Sequence, residues 1–291
     1  MAHITQSLED WTAAAEYFDG PHGRIAYWQA GEGRPLLLVH GFPTASWDWA
    51  RIWDDLIAAG YRVIALDMLG FGLSDKPASH TYSLIDQAEL HIMLLDRLGI
   101  DACDVIAHDY GVSVVQEMVA RQGDGALPVK LSKVVWLNGG LIPGQHRPRL
   151  IQRLLEGPLG PLISRLMSQS RFNSSFSAVF GPDTQPDDQE LADFWTLMEH
   201  NGGHRISHLL IRYMQDRRDN YDRWVGVLGK GIVTERMING GLDPVSGSHL
   251  ADAYAGMVQD ADLVRLDDVG HYPQWEAPEP VLKACLDFLK D

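Results

Sequence analysis

Short apolar runs recur along this chain at spacings that leave room for one helix between them, and that alternation limits its fold more than any other feature. The runs at 36–39, 63–66, 105–107 and 134–137 carry no polar face, as strands must when helices cover both sides of a parallel sheet. Segments of helical period lie between them. The clearest begins at Ser83, where Ser83-Leu84-Ile85-Asp86 forms a capping box ahead of apolar residues at 84, 88, 92, 95 and 98, and Gly99 ends it. Strands alternating with helices imply an α/β chain with a doubly wound, mostly parallel sheet and right-handed crossovers.

Two departures from the rhythm define the rest. Residues 16–18 and 25–29 flank Asp19-Gly20-Pro21-His22-Gly23, which predicts an antiparallel hairpin around a Gly/Pro turn. From 142 to 228 the alternation stops, and helical segments are separated by loops such as Gly157-Pro158-Leu159-Gly160-Pro161. Strand–helix order returns with strands expected at 232–238 and 263–266 and helices near 247–257 and 280–289. The expected organisation is a core of 1–141 and 229–291 with an inserted helical lid at 142–228, set over the carboxyl ends of the strands, where such sheets bind ligands.

Charge and composition narrow the partners. A formal net charge of -15 over 291 residues opposes nucleic-acid and anionic-membrane partners, which call for a basic face. The N-terminal ten residues have neither a basic start nor an apolar run, and no later stretch is long enough to span a bilayer. The expectation is a cytoplasmic protein. Cys103 and Cys285 are too few for a disulfide scaffold, and no metal-ligand spacing occurs. Neither cofactor nor metal is expected.

Chemistry concentrates at strand ends. Val105-Ile106-Ala107-His108-Asp109-Tyr110-Gly111-Val112 reads as a strand entering a helix through a small-x-Asp-x-Gly turn. Such a strained elbow exposes its central side chain and tolerates only small residues two positions away. Upstream, Leu38-Val39-His40-Gly41-Phe42-Pro43 ends another strand; the N–H of Phe42, with that of Tyr110, is positioned to form an oxyanion hole. Downstream, Asp243 follows one strand and His271 the next. Nucleophile, acid, histidine is the chain order of a hydrolase triad on an α/β sheet. A lone Asp or His is more often a cap or a solvated side chain; three such residues in this order, each after a strand, favour catalysis. Asp67 also follows a strand and rivals Asp243. His40 is expected to brace a turn and His108 to lie beside the elbow, neither acting as a base.

These stretches resemble the α/β-hydrolase superfamily from the first hairpin to the last helix. Within it, His40-Gly41-Phe42-Pro43, the loop from Gly70 to Pro77, His108-Asp109-Tyr110-Gly111 and Gly270-His271-Tyr272-Pro273-Gln274 are similar to the epoxide hydrolase and haloalkane dehalogenase branch. Leu137-Asn138-Gly139-Gly140 and Arg223-Trp224-Val225-Gly226 most resemble the mesoderm-specific transcript group.

An aspartate at the elbow changes the reaction. A carboxylate with a reference pKa of about 3.9 is already ionised at neutral pH, so it attacks an sp³ carbon without a base and forms an ester. Water must then hydrolyse that ester, with His271 taking its proton and Asp243 holding the ring. The expected substrate is a small apolar or amphipathic epoxide, opened to a vicinal diol with water as co-substrate. The resemblance implies a ring-opening lid tyrosine, and Tyr213 is at the matching position, on an apolar helical face with Ile206, Leu209 and Leu210. Epoxide hydrolases usually present two such tyrosines; here only Tyr213 and Tyr221 lie in the lid, and His146, His200, His204 or His208 is the alternative partner. Haloalkane dehalogenation is the alternative reaction. Tyr110 and Phe42 in place of the halide-binding Trp and Asn oppose it, although Trp195 or Trp224 remain as indole donors. A third reading keeps the fold without useful turnover. A homodimer is left open.

Overall fold

The computed structural model describes residues 6–290. Eight strands form one sheet: β1 (Glu16–Gly20), β2 (Gly23–Ala30), β3 (Arg34–Val39), β4 (Tyr61–Leu66), β5 (Ala102–Ala107), β6 (Lys130–Trp136), β7 (Thr234–Gly240) and β8 (Leu263–Leu266). Their order is β1-β2-β4-β3-β5-β6-β7-β8. The hairpin runs antiparallel at one edge, and β3 to β8 pair in parallel. Both hairpin strands reach further than the apolar pattern indicated, leaving only Pro21 and His22 between them.

The apolar runs are buried on both faces. Leu37, Val39, Val105, Ala107, Val134 and Met237 belong to one core layer; Leu36, Leu38, Ile106, Val135, Leu137 and Ile238 belong to the other. Alternate residues of one strand thus serve opposite layers, as a side-chain period of two requires. Each such side chain contributes about 1.5–3 kcal/mol by burial, so Leu38→Ala, which opens a cavity where none is tolerated, costs about 2–5 kcal/mol.

Chain order and sheet order part at β3, which pairs with β4 on one side and β5 on the other. The chain winds outward from β3 and then crosses back, so the loops leaving β3 and β5 diverge. A crevice at such a reversal is where doubly wound sheets bind ligands.

Among the described residues no strand lies between Trp136 and Thr234. Helices fill the interval, including Leu150–Glu156, Gly160–Arg165, Gln169–Ser177 and Asp188–Glu199. The last opens on a capping box in which Asp187 and Glu190 bond each other's backbone N–H. Two expected boundaries move. β7 starts at Thr234 rather than 232 because Gly229 and Gly231 take left-handed conformations (φ 68° and 69°) that hold the chain in a turn. The final helix starts at Pro278, since proline at a first helical position loses no bond.

Candidate active site

β5 ends in a turn whose centre, Asp109, adopts φ 43° and ψ -104°, strain that persists only where the surroundings dictate it. They do so here. The Asp109 N–H donates to the Asn138 carbonyl at 2.7 Å and the Gly111 N–H to the His108 carbonyl at 2.8 Å. A Cβ on Gly111 would meet the Val39 carbonyl oxygen at 2.5 Å, and one on Gly139 the Asp109 Cα at 2.8 Å. Small residues are therefore required by close backbone approach, and the helix Tyr110–Gly123 directs its positive end at the carboxylate.

Asp109, His271 and Asp243 come together. His271 Nδ1 lies 2.7 Å from Asp243 Oδ2, and its Nε2 lies 3.7 Å from Asp109 Oδ1. Asp243 also accepts from Asn138 Nδ2 at 2.9 Å, the Ser246 hydroxyl at 2.6 Å and the Val245 N–H at 2.7 Å. Burial alone would push the Asp243 carboxyl up, yet the His271 charge and these donors hold it well below the usual range. Burial would likewise lower His271, but Asp243 and then Asp109 raise it to about 9. Asp109 follows the same pattern: burial opposes ionisation, while His271, Arg217 and the Phe42 N–H bring its pKa below the ordinary value.

The Phe42 N–H donates to Asp109 Oδ2 at 3.0 Å. That of Tyr110 occupies the first position of its helix, where no acceptor exists within the helix. The rival acid is occupied elsewhere: Asp67 accepts from the Ser46 N–H and hydroxyl and from the Leu73 N–H at 2.6–2.8 Å. His40 accepts the Met68 N–H on Nε2 and so donates from Nδ1 to the Gly41 carbonyl; burial lowers its pKa. His108 Nε2 donates to the His271 carbonyl at 2.8 Å. His40 thus braces its turn and His108 lies beside the elbow, both as expected.

A cavity of about 330 Å³ opens over Asp109 and His271. Phe42, Pro43 and Val245 line it from the strand-end loops, and Ile151, Leu155, Phe172 and Met198 from the helical stretch. Tyr213 is not on its wall. The chain breaks into the short helices Ser207–Leu210 and Tyr213–Asp219, so Tyr213 does not share one helical face with Leu209 and Leu210. It packs behind Phe42, ring centroids 5.8 Å apart, and beside Tyr110 at 5.3 Å. Gln152, which does line the cavity, donates to its hydroxyl oxygen at 3.0 Å. Burial, then the Asp109 charge, raises the phenol above its ordinary pKa.

Of the four lid histidines, only His146 approaches the site: its ring is 6.5 Å from that of Tyr213, and both nitrogens are buried without a hydrogen-bond partner. Burial and the Arg217 charge lower its pKa to about 3. His208 bonds Ser164, His200 lies beside Asn201, and His204 packs on Trp195. Tyr221 is exposed. The indole of Trp224 donates to Glu117 at 2.8 Å, and neither Trp224 nor Trp195 lines the cavity.

Arg217 escaped the sequence reading. It is buried, and its Nη2 donates to the Asp109 carbonyl at 2.9 Å while Nε donates to the Ser113 hydroxyl at 2.7 Å. Its guanidinium sits 4.5 Å over the Tyr213 ring. Nη1 has no partner and lies where a Cβ on Gly140 would come within 2.2 Å, so only glycine leaves room for it. Among the described residues no carboxylate pairs with it. Nothing local in Asp216-Arg217-Arg218 distinguishes this arginine from its exposed neighbour.

A parallel sheet with a strained strand-to-helix elbow, facing an acid–histidine pair beneath a cavity, defines a hydrolase of the α/β class. The chain belongs to the alpha/beta hydrolase family, whose model matches residues 36–284. It is 37% identical over 299 residues to the mesoderm-specific transcript homolog protein of Bos taurus, covering 98% of this chain and 89% of that protein. LipZ of Mycobacterium tuberculosis is 36% identical over 98% of this chain and 99% of its own length. Haloalkane dehalogenase 2 of the same species is 34% identical over 113 residues, 38% of either chain. An alpha/beta hydrolase fold protein from Burkholderia ambifaria superposes with a TM-score of 0.79 at 25% identity, covering 94% of this chain and 97% of that one. No helix of the described residues is long and apolar enough to cross a membrane, and no group of metal-ligating side chains occurs among them.

Proposed function

We propose that this chain hydrolyses epoxides through an ester between Asp109 and a substrate carbon, with the helical stretch at 142–228 serving as the lid of the cavity. One observation carries the reading: an ionised carboxylate stands at the elbow, at the floor of an apolar cavity, with its Oδ2 on the Phe42 N–H. Its Oδ1 is 3.7 Å from His271 Nε2, beyond hydrogen-bond length. A serine would need that contact to lose its proton; a carboxylate does not.

Proton accounting favours an epoxide over a halide. With a pKa of about 9, His271 is an imidazolium between two carboxylates in the resting site. Attack by Asp109 on a ring carbon forms the C–O ester bond, breaks the ring C–O bond and removes the carboxylate charge, so the imidazolium loses the anion facing its Nε2. Because Tyr213 stands behind the wall, Gln152, which lines the cavity and donates to the Tyr213 hydroxyl oxygen, must turn aside as substrate enters; the nascent alkoxide then takes the Tyr213 hydroxyl proton. The phenolate recovers a proton from the equivalent released by His271. Neutral His271 then deprotonates water as it attacks the ester carbonyl, while the N–H groups of Phe42 and Tyr110 stabilise the oxyanion. Collapse releases the diol and restores both Asp109 carboxylate and imidazolium. A departing halide needs no proton, and no indole lines the cavity to hold it.

Turnover in heavy-oxygen water tests the ester. Peptide mass spectrometry is expected to find the label in the Asp109 carboxyl group together with an epoxide-derived diol. An unlabelled Asp109 after many turnovers sinks the proposal, and halide release from haloalkanes without diol formation transfers the site to the second reaction.

A further inference from the structure

The helices Leu150–Glu156 and Gly160–Arg165 are apolar on two sides. Ile151, Leu155, Ile163 and Met167 face the cavity, yet Leu150, Leu154, Leu159, Leu162 and Leu166 are between 41% and 72% exposed. Those five are half of the large apolar side chains exposed among the described residues, gathered within seventeen positions. A helix covering a soluble core normally turns a polar face outward, and a contiguous exposed apolar patch marks an interaction site.

The charge around the leucines identifies what covers them. Residues 147–171 contain Arg147, Arg149, Arg153, Arg165 and Arg171 against a single acid, Glu156. Among the described residues none of the five arginines pairs with a carboxylate, and Glu156 is taken by Arg218. This local +4 lies in a chain of -15, so the remainder carries -19. Net charge argues against an anionic partner for the surface as a whole; it says nothing of a face whose sign is reversed. Arg171 is exposed and also lines the cavity, so the cavity reaches the surface beside the leucines.

We propose that this face docks on an anionic phospholipid bilayer and that the cavity draws an apolar substrate from it. The leucines would enter the headgroup boundary while the arginines meet lipid phosphates. The acidic remainder is repelled, which fixes the orientation with the cavity mouth toward the lipid. A two-fold contact with a second copy would set arginines against arginines. The inference rests on the cavity and its rim, not on the identity of the nucleophile, and its test needs no turnover.

Flotation of the full chain with phosphatidylcholine vesicles, with and without about one third phosphatidylserine, is the experiment. Binding at least tenfold greater with phosphatidylserine at low salt is expected, together with slowed deuterium exchange in peptides spanning 150–166. Leu150→Ser/Leu154→Ser/Leu162→Ser should lower binding at least tenfold with no change in melting temperature, and Arg153→Glu/Arg165→Glu should remove the phosphatidylserine dependence. Failure to float with phosphatidylserine, equal flotation of the leucine variant, or a concentration-dependent dimer that the leucine variant abolishes each overturns the proposal, the last by assigning the face to a second copy.

Discussion

The loops at the strand ends and the helical stretch between β6 and β7 enclose the same cavity but are built on opposite terms. In the loops the acid beside the histidine is saturated: Asp243 receives His271, Asn138, Ser246 and Val245. Glu276 accepts the N–H groups of Gly181, Gly270 and Tyr272, clamping the histidine loop. In the helical stretch, Arg217 keeps one guanidinium nitrogen, and His146 both ring nitrogens, buried without partners. Saturated networks hold atoms in place, whereas unsatisfied ones store electrostatic effect at a cost in stability. The strand ends thus fix geometry, and the helical stretch sets charge and shape.

Substitutions should sort along that line. Asp109→Ala is expected to lower kcat by about 10⁴-fold or more with an unchanged melting temperature, read by steady-state diol formation and calorimetry; residual turnover near the wild-type rate breaks the comparison at its centre. Tyr213→Phe should slow ester formation by about 10²-fold in single-turnover kinetics while leaving ester hydrolysis intact. Arg217→Met should cost about tenfold and move the acidic limb of the kcat/KM profile to higher pH, because the Asp109 carboxyl loses a neighbouring cation. Arg217→Lys, which retains the charge, should return the limb to its place. Stability should fall only slightly in Arg217→Met, since an apolar chain of similar volume removes a buried cation that no carboxylate pairs but leaves the Asp109 carbonyl and the Ser113 hydroxyl without that donor.

The smallest effect concerns stability against pH. His271 is raised to about 9 in the folded chain from an unfolded value near 6.5. Its contribution is fully present below about pH 6.5 and is lost as pH rises through about 9. Asp243, held low, contributes above its unfolded value of about 3.9, and that contribution is lost as pH falls below it. Melting temperatures of His271→Gln should therefore decline less than wild type between about pH 6.5 and 9, and parallel curves would deny the pair its stabilising part.

Much of the site was legible because its signals are local. A buried run ending in His108-Asp109-Tyr110-Gly111 or Asp268-Val269-Gly270-His271 announces strand, turn and exposed side chain within a few residues. The six parallel strands and the edge hairpin followed from the same periodicity, with boundaries shifted where glycines held turns. Arg217 and Asn138 were not legible, since their meaning lies in partners 108 and 105 residues away. Tyr213 was misplaced for a related reason: apolar spacing alone suggested one continuous face from Ile206, whereas the helix breaks before it. The outward leucines carry the same period as the inward residues they adjoin, so only the packing of the fold separates them.

Intact-mass measurement of His271→Gln after brief exposure to an epoxide addresses the nucleophile most directly. Attack needs no base and hydrolysis does, so the variant should gain the full mass of one epoxide on Asp109 and keep it for hours. A variant that remains at its own mass, with wild type active on the same epoxide, would contradict the covalent route.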